Sequence, residues 1–413
     1  MSGGEGHAAP VAPRVAASWV ARRLREAGFR ALFAGGCVRD ALLGHEAADY
    51  DVATDAVPEE IRRVFPRAIG VGESFGVMLV RHGGRSVEVA TFRADGSYAD
   101  GRRPDGVRFT DDREDALRRD FTVNGLFEDP ETGEVIDHVG GRADLAAGVL
   151  RAIGDPEARL REDRLRALRA ARFAARFALR VDSATESAVR RFAGDLAAVS
   201  RERVGNEIRR MLVHPTRARA VELVESLGLA PSVLLEPEAA TDRSLLAALA
   251  PGAGFEESLA AWMLGRPGAE GASDVSAARQ RRWRDALVLS NGESDLLAAI
   301  LANVPRIPAS WTRADRAGRK RLAASDGFRG ALALLRAAGH PIAAAVTADL
   351  PELEREGLRP APFVTGDDLV ALGMRPGPAF RPLLDRAYDL QLNGAVADRE
   401  SALAAVRTLI SGV

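Results

Sequence analysis

Two aspartates near residue 50 could bind a metal ion. Asp49 and Asp51 flank Tyr50, and the apolar pair Val52-Ala53 follows them. Residues two apart in a β-strand face the same side, so a strand here would point both carboxylates in one direction. Two like charges at that spacing repel each other unless a cation lies between them, and oxygen-only ligands suit Mg²⁺. The spacing therefore predicts a metal site at Asp49 and Asp51.

A glycine turn precedes these aspartates. Residues 31–34 form a short apolar run typical of a strand, and Gly35-Gly36 lead from it into a stretch that predicts a helix. A strand that enters a helix in this way leaves backbone N–H groups pointing outward, where they can bind phosphate. Arg39 adds a guanidinium suited to the same anion. Taken separately, these are an ordinary turn and a solvated acidic loop. Together, a phosphate site beside a Mg²⁺ site predicts nucleotidyl transfer.

This order of motifs resembles a known enzyme family. The sequence GGCVRD at 35–40, followed by DYD at 49–51, is similar to the nucleotidyltransferases that add CCA to tRNA and to their poly(A) polymerase relatives. The resemblance covers roughly residues 30–230 and, less closely, 360–395. It implies that Gly35, Gly36 and Arg39 bind the nucleotide and that Asp49 and Asp51 are the catalytic metal ligands.

Glu88 interrupts an alternating stretch, VEVATFR at 87–93, that predicts another strand. Intrinsic β-propensity disfavours a carboxylate at this place. One interpretation is an outward-facing polar residue. The other, which the resemblance favours, is a third catalytic carboxylate beside Asp49 and Asp51.

The run RRDFTVN at 118–124 contains groups suited to phosphate and ribose. An arginine can hold phosphate oxygens, and a carboxylate can accept hydrogen bonds from ribose hydroxyls. The run resembles the family's ribose-and-phosphate motif nearly letter for letter, with Gly125 where alanine is usual. The resemblance implies that Arg119, Asp120 and Asn124 bind the nucleotide. The alternative is a helix-capping aspartate with surface arginines on either side.

Residues 159–180, RLREDRLRALRAARFAARFALR, contain no Gly or Pro and predict one continuous helix. Charged residues recur every three or four positions, which would align them on one helical face. They are Asp163, Arg166, Arg169, Arg172, Arg176 and Arg180. Such a stripe is commonly a solvated face. Glu162-Asp163 followed by Arg166 instead resembles the family's EDxxR template motif, and this implies that Asp163, Arg166, Arg169 and Arg172 bind the incoming nucleotide.

An aspartate and an arginine can together select a base. Cytosine and adenine both present an exocyclic NH₂ donor next to a ring-nitrogen acceptor. Asp163 can accept from that NH₂ while Arg166 donates to the ring nitrogen. Uracil and guanine reverse the order and would leave a carboxylate facing a carbonyl oxygen. The pair therefore predicts acceptance of C or A, and rejection of U or G, without a nucleic-acid template.

Three further segments resemble the family without chemistry of their own. Residues 94–110 are rich in Gly, Asp and Arg around Arg102-Arg103-Pro104, and the family's corresponding loop is flexible and helps to position the growing 3′ end. Residues 135–145, with Gly140-Gly141, resemble a hinge between head and neck, although any turn could use two glycines. Residues 201–212 resemble a helix that braces the neck.

Composition bounds the class of protein. A chain of 413 residues with 46% hydrophobic and 28% charged residues is typical of a globular protein of two to four domains. Its single cysteine, Cys37, excludes an intramolecular disulfide and fits a reducing compartment. No signal-peptide pattern is evident, and no apolar run approaches the ~20 residues of a membrane helix. A net charge of −1 gives no whole-protein argument for nucleic acid. We expect a cytoplasmic protein with no membrane partner.

The resemblance predicts an α+β fold, in which a small mixed-sheet nucleotidyltransferase head is followed by helical segments. The expected divisions are a head at 1–150, a neck at 151–230, a body at 231–350 and a tail at 351–413. Within the body, Pro and Gly predict helix breaks near 251–254, 265–270 and 305–308. The tail resembles the part of the family that grips tRNA.

The implied activity is template-independent addition of C, C and A to the 3′ end of tRNA from CTP and ATP, with release of pyrophosphate. Two Mg²⁺ ions held by the carboxylates would lower the pKa of the tRNA 3′-OH and stabilise the leaving pyrophosphate. The head motifs do not separate this activity from poly(A) synthesis, or from addition of A alone or CC alone. A non-catalytic RNA-binding protein is a distant alternative, and it predicts loss of the metal carboxylates. The sequence leaves the oligomeric state open.

Overall fold

The computed structural model describes residues 10–96, 106–267 and 275–411. The chain divides into two compact units. The first unit comprises Met1–Glu207 and Leu223–Glu238, and the second comprises Ile208–Glu222 and Ala239–Val413. The four-part division predicted from the sequence stays a prediction. Of the loop predicted at 94–110, residues 97–105 lie outside the described residues. The two ends of that segment are not loop, because Arg93–Asp95 and Val107–Phe109 pair as antiparallel strands.

The first unit contains the sheet. In chain order, the strands are β1 (Ala31–Ala34), β2 (Asp51–Thr54), β3 (Ile69–Gly72), β4 (Val77–His82), β5 (Arg85–Thr91), β6 (Arg93–Asp95), β7 (Val107–Phe109), β8 (Leu126–Glu128), β9 (Val135–Asp137), β10 (Val149–Leu150) and β11 (Arg180–Val181). Seven of them form one sheet in the order β3-β4-β5-β2-β1-β8-β9. Strands β2 and β5 pair in parallel and the other neighbours pair antiparallel, so the sheet is mixed as predicted.

Helices make up most of the remainder. In the first unit they are α1 (Pro13–Glu26), α2 (Gly36–Leu42), α3 (Pro58–Val64), α4 (Asp112–Leu117), α5 (Gly141–Ala146), α6 (Pro156–Glu162), α7 (Arg166–Arg176) and α8 (Ser183–Arg191). The next two helices, α9 (Arg201–Leu212) and α10 (Arg217–Ser226), contribute residues to both units. Helix α11 (Ala230–Leu234) belongs to the first unit again. The second unit continues with α12 (Ser244–Ala248), α13 (Phe255–Gly265), α14 (Ala277–Leu287), α15 (Asn291–Ser310), α16 (Arg316–Ala323), α17 (Phe328–Ala337), α18 (Ile342–Arg355), α19 (Gly366–Ala371), α20 (Phe380–Leu392) and α21 (Arg399–Ser411). Of the helices described, none is long and apolar enough to cross a bilayer.

The two faces of the sheet are covered differently. On one face, α1 packs its apolar stripe, including Val20 and Leu24, against Phe33, Val52 and Val89. The opposite face carries a smaller cluster that includes Ala34, Ala53 and Ala116. Because side chains alternate along a strand, Asp51 and Glu88 share the second face with Ala53 rather than the α1 face. The less covered face is therefore the one that carries carboxylates.

One predicted helix break is wrong. Pro305 and Pro308 lie inside α15, a helix that runs unbroken from Asn291 to Ser310. Ser290 and Glu293 form a capping box at its start, and its apolar side is buried along most of its length. Packing over five turns outweighs the cost of about 3 kcal/mol that proline imposes on a helix interior. The tryptophans of the second unit pack helices: Trp262 and Trp283 are fully buried, with ring centroids 5.4 Å apart.

The glycines at 140–141 have a packing role that the sequence did not indicate. Gly140 adopts φ +80°, which favours glycine, and Gly141 begins α5. A Cβ at Gly141 would lie 2.2 Å from the carbonyl oxygen of Thr122. This distance allows no side chain, because backbone cannot move aside as a flexible side chain can.

We therefore predict that Gly141→Ala destabilises the protein by about 1–3 kcal/mol. Gly194→Ala is the matched control, because a Cβ added at Gly194 would point into open space and its φ is not positive. Thermal unfolding followed by circular dichroism measures both. Equal melting temperatures for the two variants would contradict the close approach at Thr122.

Candidate functional site

The parallel pairing of β2 and β5 brings two carboxylates side by side. Val52 pairs with Val89 and Ala53 with Ala90. The residues that precede Val52 and Val89, Asp51 and Glu88, therefore lie side by side on the two strands. Both line a cavity of about 640 Å³ in the first unit. Asp49 precedes the strand and is exposed; it does not belong to the cavity lining that the described residues form. The prediction that a strand holds Asp49 and Asp51 together is therefore wrong for Asp49, because β2 begins only at Asp51.

Asp51 lies in an electrostatically unfavourable place for a carboxylate. Its side chain remains accessible to solvent, but the cavity walls remove part of its hydration. This desolvation, followed by the negative charge of Glu88, raises the pKa of Asp51 to about 6. Arg119 acts in the opposite direction, and Asp49 adds a smaller repulsion. A cation bound here would remove the repulsion.

The donor set around Asp51 suits a hard cation. Asp51 and Glu88 offer carboxylate oxygens, and Asp49 lies two residues from Asp51. In the part of the chain that the structure describes, no group of three or more His, Cys, Asp or Glu is close enough to hold a metal ion. The role of Glu88 as a third metal ligand stays a prediction. Its position beside Asp51 fits the catalytic interpretation better than that of an isolated polar residue.

The glycine turn lies where the sequence predicted it. Gly35 adopts φ +69°, and its N–H donates to the Leu126 carbonyl at 2.8 Å. A Cβ on Gly35 would lie 2.6 Å from Nη1 of Arg119. Gly36 opens the seven-residue helix α2. Both glycines line the cavity, and the lack of a side chain at Gly35 leaves room for Arg119.

Arg39 is less available to an anion than predicted. It is buried and stacks on the Phe177 ring at 4.1 Å from the centroid. Its Nε and Nη2 donate to Asp40 at 2.9 and 2.6 Å, and its Nη1 donates to Asn124. Arg39 also lines the cavity, so contact with a phosphate stays a prediction. In this structure its clear role is to fix Asn124.

Asp120 is the buried centre of a second network. Its Oδ1 accepts from the Phe121 N–H at 2.8 Å and from Asn124 Nδ2 at 3.0 Å. Its Oδ2 accepts from Nε and Nη2 of Arg169 at 2.9 and 2.5 Å. Burial alone would raise the pKa of Asp120, but Arg169 and these hydrogen bonds outweigh it and lower the pKa to about 2. All four lone-pair positions of the carboxylate are occupied, so a ribose hydroxyl would have to replace one of these donors.

The predicted continuous helix over 159–180 is wrong. Helix α6 ends at Glu162, Asp163 is extended with φ −146° and ψ 103°, and α7 begins at Arg166. The carboxylate of Asp163 explains the break, because Oδ1 accepts from the Leu165 N–H at 3.1 Å and Oδ2 from Arg203 at 2.7 Å. Such local side-chain hydrogen bonds compete with helical ones.

The break changes how the predicted arginine stripe is arranged. Arg180 lies in β11, beyond the end of α7 at Arg176. Arg166 pairs with Glu162 at 2.6 Å rather than with Asp163. Arg172 is buried and pairs with Glu207 at 2.5 Å, which ties α7 to the part of α9 in the first unit. Carboxylates therefore hold Arg166, Arg169 and Arg172 towards the cavity or the core, whereas Arg176 and Arg180 are exposed.

Twelve of the thirteen predicted site residues line this same cavity, and Asp49 is the exception. The lining residues that were not predicted to bind the nucleotide include Arg93, Arg118, Phe173 and Arg176. A further buried residue, Asp115, contacts two of the lining arginines. Its spacing of three and four residues before Arg118 and Arg119 on a helical pattern was a usable signal for such pairing.

The raised pKa of Asp51 predicts a stability difference that depends on pH. The unfolded chain loses this proton near the ordinary value of 3.8 and the folded chain near 6, so stability falls as pH rises through that window. In EDTA, we expect Asp51→Asn to melt a few degrees above the wild type at pH 7.5 and at nearly the same temperature at pH 4. Thermal melts at both values measure this difference. Glu46→Gln, which removes an exposed carboxylate from the preceding loop, should match the wild type throughout. A wild type as stable as Asp51→Asn at pH 7.5 would contradict the crowding of Asp51.

Two family models match the chain. Residues 31–151 match the Poly A polymerase head domain, and residues 178–242 match a probable RNA and SrmB-binding site of polymerase A. The first match contains β1 to β10 and the second begins after α7.

Curated proteins and a solved structure are similar over longer stretches. The CCA-adding enzyme of Geobacillus stearothermophilus is 42% identical over 211 residues, and the chain spans about half the length of this and several other relatives. The CCA-adding enzyme of Lactiplantibacillus plantarum is 36% identical over 295 residues, which are 70% of each chain. The crystal structure of the Bacillus stearothermophilus CCA-adding enzyme in complex with CTP gives a TM-score of 0.79 at 31% identity, covering 98% of this chain and 100% of that chain. With these identities across most of one relative and all of one solved structure, the chain belongs to the CCA-adding enzyme family of nucleotidyltransferases.

Proposed function

We propose that this protein adds C, C and A to the 3′ end of tRNA from CTP and ATP, without a nucleic-acid template and with release of pyrophosphate. The observation that carries the proposal is that Asp51, Glu88 and Arg119 line one cavity. Asp163 and Arg166 line the same cavity. Metal-binding, phosphate-binding and base-reading groups thus converge on one space large enough for a nucleotide. The similarity to an enzyme solved with CTP supports the same conclusion.

Mg²⁺ is the cofactor that the carboxylates support. Mg²⁺ commonly binds one or two protein carboxylates and completes its shell with water and substrate phosphates. Asp51 and Glu88, with Asp49 beside them, would hold it. Desolvation and then the charge of Glu88 raise the pKa of Asp51, and a cation would offset both. When bound, Mg²⁺ would acidify the tRNA 3′-OH and stabilise charge on the phosphates.

The arginines of the cavity orient the nucleotide. Arg119, held beside Gly35, is placed to donate to phosphate oxygens. Arg169 is held by Asp120, so in this proposal Asp120 acts by directing Arg169 and Asn124 rather than by contacting ribose alone. These residues bind and align the reacting groups, which in phosphoryl transfer supplies most of the catalysis.

Asp163 and Arg166 select the base in this proposal even though they do not share a helix. Asp163 keeps its carboxylate at the cavity through Arg203, and Arg166 keeps its guanidinium there through Glu162. A cytosine or adenine edge would donate to Asp163 and accept from Arg166. Because each side chain is held by its own partner, the pair is ordered before a base arrives, and less conformational entropy is lost on binding.

The length and composition of the product distinguish CCA addition from the alternative activities. One of these is poly(A) synthesis, since the matching head-domain model is that of poly(A) polymerase. We expect the protein to extend a tRNA that ends at the discriminator base by three nucleotides and then stop. EDTA should abolish extension and added Mg²⁺ should restore it. Labelled CTP, ATP, UTP and GTP supplied singly and together, with products resolved on a gel, measure this. An open-ended ladder from ATP alone would assign a poly(A) polymerase, and refusal of CTP would assign an A-adding specialist.

Base selection predicts a second outcome. An unmatched buried hydrogen bond costs about 1–3 kcal/mol, so loss of Asp163 should lower the ratio of kcat/KM for CTP over UTP by about tenfold or more. Asp163→Ala should also lower total activity, because the break between α6 and α7 depends on this carboxylate.

The matched control for Asp163→Ala is Asp195→Ala. Asp195 is an exposed aspartate of the same unit, 3.7 Å from Arg164 and outside the cavity lining. It should leave the CTP-to-UTP ratio unchanged. A ratio unchanged in Asp163→Ala would mean that the base is read by other residues.

A further inference from the structure

We propose that Asp115 is a positioning residue for nucleotide binding: it holds Arg118 and Arg119 in the orientation in which they meet the phosphates. The proposal rests on the proposed function, because it concerns the same cavity. Asp115 does not line that cavity, so it acts through the two arginines, which do.

The contacts of Asp115 are unusually complete for one carboxylate. The residue is 1% exposed. Its Oδ1 accepts from Nε and Nη2 of Arg118 at 2.9 and 2.6 Å, and its Oδ2 accepts from Nε and Nη2 of Arg119 at 3.1 and 2.9 Å. Each carboxylate oxygen therefore accepts two hydrogen bonds from the Nε–Nη2 edge of a different arginine, Oδ1 from Arg118 and Oδ2 from Arg119. Paired hydrogen bonds of this kind fix the plane of a guanidinium as well as its distance.

Helical spacing makes this double contact possible. Asp115 lies in α4, and Arg118 and Arg119 follow it by three and four residues, at the positions that face it on a helix. The two arginines are adjacent in sequence and carry like charges, so without an anion between them they would separate. Asp115 brings them together and leaves one net positive charge at the cavity wall.

Arg119 has little freedom to take another position. Its Nη1 donates to the Asn124 carbonyl at 3.2 Å, and its guanidinium lies 5.0 Å from the centroid of the Phe127 ring. Gly35 lies so close that a Cβ there would be 2.6 Å from Nη1. The arginine is thus enclosed by backbone, an aromatic ring and Asp115. Of these, Asp115 is the one that contributes an opposite charge.

Asp115 also connects the arginines to the sheet. The backbone N–H of Arg93, at the start of β6, donates to Asp115 Oδ1 at 3.3 Å, and Arg93 lines the same cavity. Asp115 therefore contacts three arginines of the cavity lining, two through their guanidinium groups and one through its backbone N–H. A displacement of ~1 Å in such groups can cost about 10²-fold in rate, so a residue that touches no substrate can still control binding and turnover.

The test is calorimetric titration of CTP and, separately, of CMP into the full-length protein with Mg²⁺. We expect Asp115→Asn to lose about tenfold or more in CTP affinity and distinctly less in CMP affinity, because the extra phosphates are what the arginines meet. A merely structural role would weaken both ligands alike. Asp115→Asn should also add little to the loss already caused by Arg119→Gln, since residues that act together are not additive.

Asp112→Asn is the matched control. Asp112 is a buried aspartate at the start of the same helix, and it pairs with Arg30 at 3.0 Å and His138 at 2.8 Å, neither of which lines the cavity. Its loss should disturb the helix to a comparable extent while CTP affinity stays within about twofold of the wild type.

Each result has one meaning. Wild-type protein that binds neither nucleotide would overturn the proposed function and this inference with it. Wild-type protein that binds CTP, together with an Asp115→Asn variant that binds it equally well, would overturn this inference alone. If Asp115→Asn melts below the assay temperature, Asp115→Glu, which keeps the charge but lengthens the side chain, replaces it. A CTP-specific loss in that variant supports the positioning role, and unchanged affinity overturns it.

Discussion

The register of one parallel strand pair places two carboxylates side by side, and the rest of the site compensates for their negative charge. Strands β2 and β5 align Val52 with Val89, and this alignment sets Asp51 level with Glu88 on the same face of the sheet. Two carboxylates so placed repel each other, and this repulsion adds to desolvation in raising the pKa of Asp51. Stability is lost at this point of the fold, as is common where residues are arranged for function rather than for packing. The opposite face of the sheet, filled by α1, supplies the compensating apolar burial.

Arginines balance the negative charge of Asp51 and Glu88, and buried carboxylates hold several of these arginines in place. Asp115 holds Arg118 and Arg119, Asp120 holds Arg169, and Glu207 holds Arg172. Long side chains are costly to immobilise, and buried ion pairs gain little net stability because both partners lose hydration. Their value here is geometric, because a guanidinium fixed at two of its donors presents the remaining edge of its fork in a known direction.

The helical stretch at 159–180 is interrupted where a continuous helix would be more stable in isolation. These residues favour helix throughout, yet Asp163 is extended and its carboxylate caps the next turn. The break turns Asp163 towards the cavity while Arg166, which opens α7, stays beside it. Arg203, forty residues later in the sequence, stabilises this arrangement. A local helical preference is thus overridden by one distant ion pair and one local hydrogen bond.

The sequence by itself determined the features that depend on near neighbours. The apolar run of β1, the glycine turn and the alternation of β5 all follow from short-range periodicity and turn chemistry. The motifs around Asp51, Asp120 and Asp163 could likewise be identified from the sequence, because each consists of a few adjacent residues. Tertiary structure decided the rest. It alone shows that β2 begins after Asp49, that Gly141 must lack a side chain because of the Thr122 carbonyl, and that Asp115 unites two arginines. It also interrupts the helix at Asp163, because the partner that holds this carboxylate comes from another helix, and no local pattern contains that information.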